Sequence, residues 1–517
     1  MRKAQSMAAL LGILAGAVGI AASGCRSGDC EELSECEPTT CAELTSPDLV
    51  AQYGRQLGCG PQSWDGGANP ACVPRLVMGA VDASCGLFVD PNGSPTGTGT
   101  KEDPMNSIAA AIAKLTRLAP RVYACEGTFT ERVELPSQGE LYGGLDCTSW
   151  ARIGDGTKTM LTALPGEIPL TLFGSVDPIV VEDMHVVAAD AVDPGQSSIA
   201  AVARSCTVAL RDVVLEAGEA QAGADGAPIV EAAMAGMKGA PGGNACSAAA
   251  VLGGLDTLNR CGEVQSIGAA GGVGTQSAGT PGGSGLPEGE MNGGAGEGAT
   301  ACTAGTAGDM GPQGAPGTGS VGMGVLNEMG YTGLSGLPGL PGGPGQGGGG
   351  GGGSKGSVVC SAAPLKGGAG GGGGGAGGCG GMGGRGGNPG GSSIGLISVD
   401  GTLTFEGVVI KTKNGGQGGA GGPGQGGGEG GFGGDGGASQ ANPTTKIGCK
   451  GGPGGRGGPG GRGGGGSGGH SIGIAFKGAA PPSDGVTFEN GLAGSGGPGE
   501  TPESEGGSGV AMTLQPF

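Results

Sequence analysis

Aromatic residues make up 3% of this 517-residue chain, and it has two histidines, His185 and His470. So few large rings cannot fill a thick hydrophobic core along the whole length. Two imidazoles leave little for acid–base or metal chemistry. Basic charge is also short, 26 Lys and Arg against 45 Asp and Glu for a net charge of -19. That excludes the basic face that nucleic-acid binding requires, and the acidity reads as a solubility device. G-x-G-x-x-G matches occur in any glycine tract, and none here follows a strand and opens a helix; no phosphate-binding loop or G-x-S-x-G elbow is convincing. His185, next to Glu182 and Asp183, is a weak acid–base candidate that reads better as a strand-edge residue. His470 ends a glycine tract and is expected to face solvent. Asp177, Glu182, Asp183 and Asp190 would hold calcium only if their turns stacked, and they read as solvated turn residues. Gly430–Asp435 matches the start of a calcium-binding nonapeptide, but it occurs once, whereas a calcium roll needs successive copies. No cofactor or metal is called for, and the chain reads as non-enzymatic.

What is abundant is glycine, 133 residues, and cysteine, 16 residues. Arg2 and Lys3 precede an uncharged apolar run, Ala8 to Ala22, too short for the roughly 20 residues of a membrane span. The run closes on Ala22-Ser23-Gly24-Cys25, which resembles the lipobox of bacterial lipoproteins. The resemblance implies a signal peptide over 1–24, cleavage before Cys25, and acyl chains on that cysteine that tie the protein to a membrane. Arg26, in place of an aspartate, favours the outer membrane over the inner one. No later segment is long and apolar enough to span a bilayer, which places the remainder outside the cytoplasm, in the periplasm or at the cell surface. Residues 25–84 form a cysteine-rich spacer with Cys30, Cys36, Cys41, Cys59 and Cys72. They contain no C-x-x-C pair and no histidine, so disulfides are expected and zinc is not.

From Cys85 the pattern changes to short apolar runs separated by Asp, Gly and Pro, the mark of strands without intervening helices. One exception is a helix started by Asp103-Pro104, with apolar residues at helical spacing over Ser107 to Leu115. The order of a strand at Gly86–Asp90, a turn, this helix and strands at Arg121–Cys125, Glu131–Leu135 and Glu140–Gly144 resembles the amino-terminal entry of the pectate-lyase-like superfamily. That resemblance implies an all-β fold, a right-handed parallel β-helix whose first rung is plugged by the capping helix. Cys125 and Cys147 would lie about one coil apart in such a helix, where they could close a disulfide.

A repeat then emerges. Ser198–Val202, Thr207–Leu210 and Val213–Leu215 reappear as Ser393–Ile397, Thr402–Phe405 and Val408–Ile410, and again in part as Ser471–Ala475 and Val486–Phe488. Each copy is followed by a glycine-rich excursion, which predicts a solenoid with insertions on one face. The expected organisation is an amino-terminal β-helix part over 85–220, glycine-rich insertions with few rungs over 221–392, and carboxy-terminal rungs with G-G-x loops over 393–517. The glycines count in threes, unbroken from Gly368 to Gly386, Gly415 to Gly436 and Gly451 to Gly469. A period of three suits the polyproline-II conformation. The G-G-x pattern resembles the polyglycine-II bundles of glycine-rich antifreeze proteins and phage fibre tips. A collagen-like trimer, best matched by Gly308–Gly317, and plain disorder are the alternatives. The whole chain resembles the glycine-rich β-helix lipoproteins of myxobacteria. This implies a structural or adhesive role, with the membrane as partner through Cys25 and with polysaccharide or other cell-surface components as ligands. A carbohydrate-active β-helix protein, a polysaccharide lyase, hydrolase or glycan-binding module, is the competing expectation.

Overall fold

Runs of three to eight residues rich in Val, Ile, Leu and Thr form the strands, because β-branched and aliphatic side chains pack well on a pleated surface and the intervening Asp, Gly and Pro stop each run. The computed structural model describes residues 70–517 apart from 117–118, 155, 175–176, 357–359, 361–364 and 440–445. Cys25, the signal peptide and most of the 25–84 spacer lie outside the described residues. The chain divides into two compact units, Met1–Val73 and Pro74–Phe517. The second is the subject below.

Its strands are β1 (Leu87–Ser94), β2 (Arg121–Cys125), β3 (Thr128–Thr130), β4 (Val133–Pro136), β5 (Glu140–Leu145), β6 (Thr159–Thr162) and β7 (Leu170–Phe173). Then come β8 (Ile179–Glu182), β9 (Met184–Val187), β10 (Ser198–Arg204), β11 (Thr207–Arg211) and β12 (Val214–Glu216). Two hairpins follow, β13 (Thr257–Cys261) with β14 (Val264–Gly268), and β15 (Val325–Asn327) with β16 (Gly330–Thr332). The last are β17 (Ser393–Val399), β18 (Thr402–Glu406), β19 (Val408–Lys411), β20 (Ser471–Lys477), β21 (Val486–Glu489) and β22 (Ala511–Pro516).

Outside the hairpins these strands form three parallel sheets of six. Sheet A runs β1-β2-β5-β8-β11-β18, sheet B β4-β7-β10-β17-β20-β22, and sheet C β3-β6-β9-β12-β19-β21. From β2 onward the chain visits A, C and B in that order on every lap, until β20 passes directly to β21. The repeat units pair residue for residue: Ser198 faces Ser393, which faces Ser471, and Thr207 faces Thr402. The expected strand at Glu131–Leu135 instead spans Val133–Pro136.

One row from each sheet points into a shared core: Val122, Leu141, Val181 and Leu210 from A; Phe129, Leu161, Val186, Leu215 and Ile410 from C; Leu170, Ala201, Leu396 and Ile474 from B. Stacked identical or similar aliphatics remove apolar area from water at each lap. On two laps the corner from sheet A to sheet C turns on one residue in left-handed conformation, Asp183 (φ 54°) and then Asp212 (φ 49°). Each donates its N–H to the next lap, to the Arg211 and Glu406 carbonyls at 3.1 and 2.8 Å. Aspartate tolerates this conformation better than other side chains, and on the following lap a glycine, Gly407 (φ 65°), replaces it.

Helix α1 (Ile108–Ile112) packs against β1, β2 and β4, with Ile108, Ala111 and Ile112 buried in the shared core. Ser107 caps it, accepting from the Ala110 N–H. The Glu131 carboxylate accepts from the Ser107 hydroxyl and the Ile108 N–H at 2.6 and 2.7 Å, so the helix's first donors are satisfied. A disulfide joins Cys125, ending β2, to Cys147 beyond β5, with Cα atoms 4.9 Å apart.

The corner from sheet C to sheet B is where the chain expands: 188–197, 217–392, 412–470 and 490–510 all leave and return there. Among the described residues, most of these excursions outside the two hairpins are extended chains bonded to one another at every third residue. Tract 367–391 is the centre. Its Gly372, Gly375, Gly378, Gly381, Gly384 and Gly387 donate to carbonyls of the parallel tract 448–469 at 2.8–3.0 Å. Its own carbonyls accept from the antiparallel tracts 336–354 and 416–437, again every third residue.

Proline placement follows from this register. In tract 336–354, one set of amides (Gly336, Gly339, Gly342) donates to the central tract and a second (Leu337, Leu340, Gly343) donates to tract 302–320. The third set begins as Pro338, Pro341 and Pro344, which have no N–H. It becomes Gly347, Gly350 and Gly353 where the carbonyls of Leu286, Gly283 and Thr280 arrive to accept.

Candidate functional site

The first cluster of ionisable groups arises because the second row of sheet A points away from the shared core. Phe88, Tyr123, Tyr142, Glu182, Arg211 and Glu406 are successive neighbours across β1, β2, β5, β8, β11 and β18. The row begins with stacked rings, Phe88 to Tyr123 at 5.1 Å and Tyr123 to Tyr142 at 5.6 Å, and Trp150 meets Phe88 edge-on at 4.9 Å. It then turns ionic. Glu182 is 1% exposed, with Arg75 Nε at 3.7 Å, and Arg75 and Arg211 both reach Glu406. Burial pushes the Glu182 carboxyl up to about 7, against the pull of Arg75. Nearby, Arg121 forks onto Glu140 (2.8 and 3.2 Å), and the Tyr142 hydroxyl donates to Glu140 at 2.8 Å. Burial holds both tyrosine hydroxyls well above their ordinary range.

The four acids read from the sequence as solvated turn residues are therefore corrected in part. Glu182 and Asp183 are buried, because they lie on a stacked corner that Arg75 and Arg152 cover. Asp183 accepts from Arg152 Nη2 at 2.8 Å. Asp177 meets Gln138, and Asp190 accepts from Lys413 Nζ at 3.0 Å and the Glu219 N–H at 2.8 Å. Those bonds, the Glu219 amide first, hold the Asp190 carboxyl below its ordinary range. Each acid thus faces a different partner, and the four do not converge. His185 meets neither Glu182 nor Asp183. Its Nε2 is 3.2 Å from Glu216 on the neighbouring strand of sheet C.

His470 is the second correction. It is 1% exposed, because the return from the last excursion and the β15–β16 hairpin close over it. Its Nδ1 accepts from the Val510 N–H at 3.0 Å and its Nε2 donates to the Met323 carbonyl at 3.1 Å, the pattern of a neutral ring. Tyr331 and Phe517 flank it edge-on. Burial lowers its pKa. These rings cover a second apolar cluster on the outer face of sheet B, where Ile199, Ile394 and Ile472 stack. No signal within the Gly468–Ser471 segment marks this burial, since its partners are far away in the chain.

Beside this cluster lies a cleft of about 260 Å³ lined by Glu167, Gln196, Ser197, Ile199, Met329 and Tyr331. It holds one carboxylate and no nucleophile–base pair. A second cleft, of about 390 Å³, includes Glu131, whose carboxylate already caps α1. Neither contains the ionic row of sheet A. Among the described residues, Asp90, Cys125 and Cys147 bring potential metal ligands together, but the two sulfurs are bonded to each other.

The glycine tracts present a further surface. Its rim carries ion pairs between tracts, Arg456 with Glu429 at 3.3 Å and Lys450 and Lys238 on Asp435. Phe432, within the segment matched to a calcium nonapeptide, is exposed between those acids. Disulfides Cys246–Cys360, Cys261–Cys379 and Cys302–Cys449 fasten outer segments to the lattice. No family model matches this chain, and no curated protein matches it.

Proposed function

We propose that the protein is a non-enzymatic cell-envelope lipoprotein with a structural or adhesive role, a display device held to the outer membrane through acyl chains on Cys25. In this reading the three sheets wind as a right-handed parallel β-helix. The excursions pack beside it as a polyglycine-II bundle, and the bundle's rim meets polysaccharide or other cell-surface components. The observation that carries the reading is the three-residue hydrogen-bond lattice. It orders long tracts with almost no side chains inside, so the residues available for contact stand on the outside. The ionic row and its neighbours support the same reading, because the buried acids there, Glu182, Asp183 and Glu140, each face an arginine.

The test is a glycan-array and whole-cell binding assay on the chain lacking residues 1–24. Retention without turnover is the expected outcome. Release of unsaturated or reducing products from pectin-like polymers would overturn it in favour of a carbohydrate-active protein. The anchor is tested separately: Cys25→Ala is expected to move the protein from the membrane fraction to the soluble one, and unchanged partitioning would remove lipidation from the proposal.

A further inference from the structure

The lattice is filled unevenly along the central tract. Between tracts 336–354 and 367–391 lies a seat for one more chain, and half of it is occupied by residues 266–274. There Ala269 donates to Gly348 and accepts from Gly374, while Gly272 donates to Gly351 and accepts from Gly371, at 2.7–3.0 Å. At the last occupied position the backbone is replaced by a hydroxyl. Ser266 Oγ accepts from the Gly377 N–H at 2.8 Å and donates to the Gly345 carbonyl at 2.7 Å. Beyond it β14 leads into the hairpin, and the Cys261–Cys379 disulfide pins that hairpin beside the seat.

The two walls continue in register past that point. On one side the next amides are Gly380, Gly383 and Gly386; on the other, the next carbonyls are Gly342, Gly339 and Gly336. Among the described residues none of these six groups has a hydrogen-bond partner. Gly371, Gly374 and Gly377 are buried, whereas Gly380, Gly383 and Gly386 are partly exposed, with Met382 and Arg385 beside them and Pro338 and Pro341 on the facing tract, all exposed. Three donors and three acceptors, repeating every third residue, thus stand without a partner in line with a filled interface, Gly342 partly exposed like the donors and Gly339 and Gly336 buried.

We propose that this open half-seat binds an extended polypeptide from another protein, one with glycine at every third position in polyproline-II conformation. The spacing selects the ligand. Extended chains of that form repeat every three residues at about 9.3 Å, from a rise near 3.1 Å per residue. A β-strand repeats every two residues at about 6.8 Å and falls out of step with the walls. The resident segment shows the side-chain rule: a Cβ on Gly268, Gly271 or Gly274 would come within 2.1–2.2 Å of a central-tract carbonyl. A ligand therefore needs glycine at that phase, a small residue at the next, and tolerates most residues at the third. The mode is strand addition transferred from a sheet edge to a three-residue lattice. It stands independently of the adhesive reading above, since it requires neither the lipid nor a glycan.

The test uses the full chain in detergent and a fluorescent peptide of repeated Gly-Gly-Gln triplets, with a control in which both glycines of each triplet are serine. Saturable binding of the first peptide is expected, with the control at least about tenfold weaker. Hydrogen exchange read by NMR is the second arm. The amides of Gly380, Gly383 and Gly386 exchange freely without peptide and slow on its addition, while Gly371 and Gly374 stay protected throughout. No saturable binding, equal binding of the two peptides, or binding that leaves the three amides unchanged would each overturn the proposal. Slow exchange of those amides without peptide, together with concentration-dependent dimers, would overturn it by assigning the seat to a second copy of this chain.

Discussion

His470 shows how one side chain can pin a junction. As a neutral ring it satisfies the Val510 N–H and the Met323 carbonyl at once, and protonating Nδ1 would turn an acceptor into a donor facing a donor. Its pKa is lowered on folding, so the unfolded state binds the proton more readily. Its stabilising contribution is therefore complete above the unfolded value of 6.5 and is lost as pH falls below it. His470→Phe is expected to cost about 1–3 kcal/mol at pH 8, the penalty for two unmet backbone groups, and to remove the pH dependence that the ring contributes below 6.5. Denaturant midpoints across pH 5–8 measure both, and an unchanged acid-side slope would count against the assignment. Glu182 works in the opposite sense. Its carboxyl rises to about 7 from an ordinary 4.5, so the folded state holds the proton and stability declines as pH climbs through that window. Glu182→Gln should flatten this decline. If the variant keeps the wild-type slope between pH 4.5 and 7, the buried carboxyl is not its source.

At the scale of one tract, glycine is required wherever a neighbouring carbonyl occupies the space of a Cβ. A Cβ on Gly374 would lie 1.8 Å from the Gly348 oxygen, whereas on Gly426 it would meet only Arg456 Nη2 at 3.6 Å. Gly374→Ala should destabilise by about 1–3 kcal/mol or more through overpacking. Gly426→Ala should be neutral or stabilising by about 0.4–1 kcal/mol, because alanine restricts the unfolded chain. Equal thermal shifts for the two would mean that the lattice does not set the glycine requirement. Much of this level was legible in the sequence. The period of three in the glycines reappears as the spacing of the hydrogen bonds, and the repeats beginning at Ser198, Ser393 and Ser471 became paired strands. The helix expected from Asp103-Pro104 through Leu115 formed only over Ile108–Ile112, with Ser107 as its cap. Partnership between distant tracts was not legible. Every G-G-x triplet resembles every other, so nothing local says that Gly372 bonds Cys449 or that Pro338 faces an unfilled position. The same blindness hid His470 and Glu182, whose burial depends on Val510, Met323 and Arg75, residues far away in the chain.

For the whole molecule, the two architectures should leave different calorimetric marks. The stacked sheets bury aliphatic rows, and the lattice buries peptide groups with few side chains. Exposing apolar surface raises the heat capacity of unfolding, while exposing polar surface lowers it. A chain with much of its order in the lattice should therefore show a heat-capacity increment below the usual range of about 12–15 cal/mol/K per residue. The lattice has little hydrophobic gain to offset the entropy of ordering glycine, so its crosslinks matter more than in an ordinary core. Cys246–Cys360, Cys261–Cys379 and Cys302–Cys449 close separations of 114, 118 and 147 residues. Loops of that order restrict the unfolded chain by about 4–5 kcal/mol each in the chain-entropy view. Reduction should therefore melt the tracts at temperatures where the three sheets persist. The loss would appear as fast amide exchange over 219–354 with the exchange of β7, β10 and β17 still protected. Simultaneous loss of protection in both regions would show instead that the lattice and the sheets are one cooperative unit.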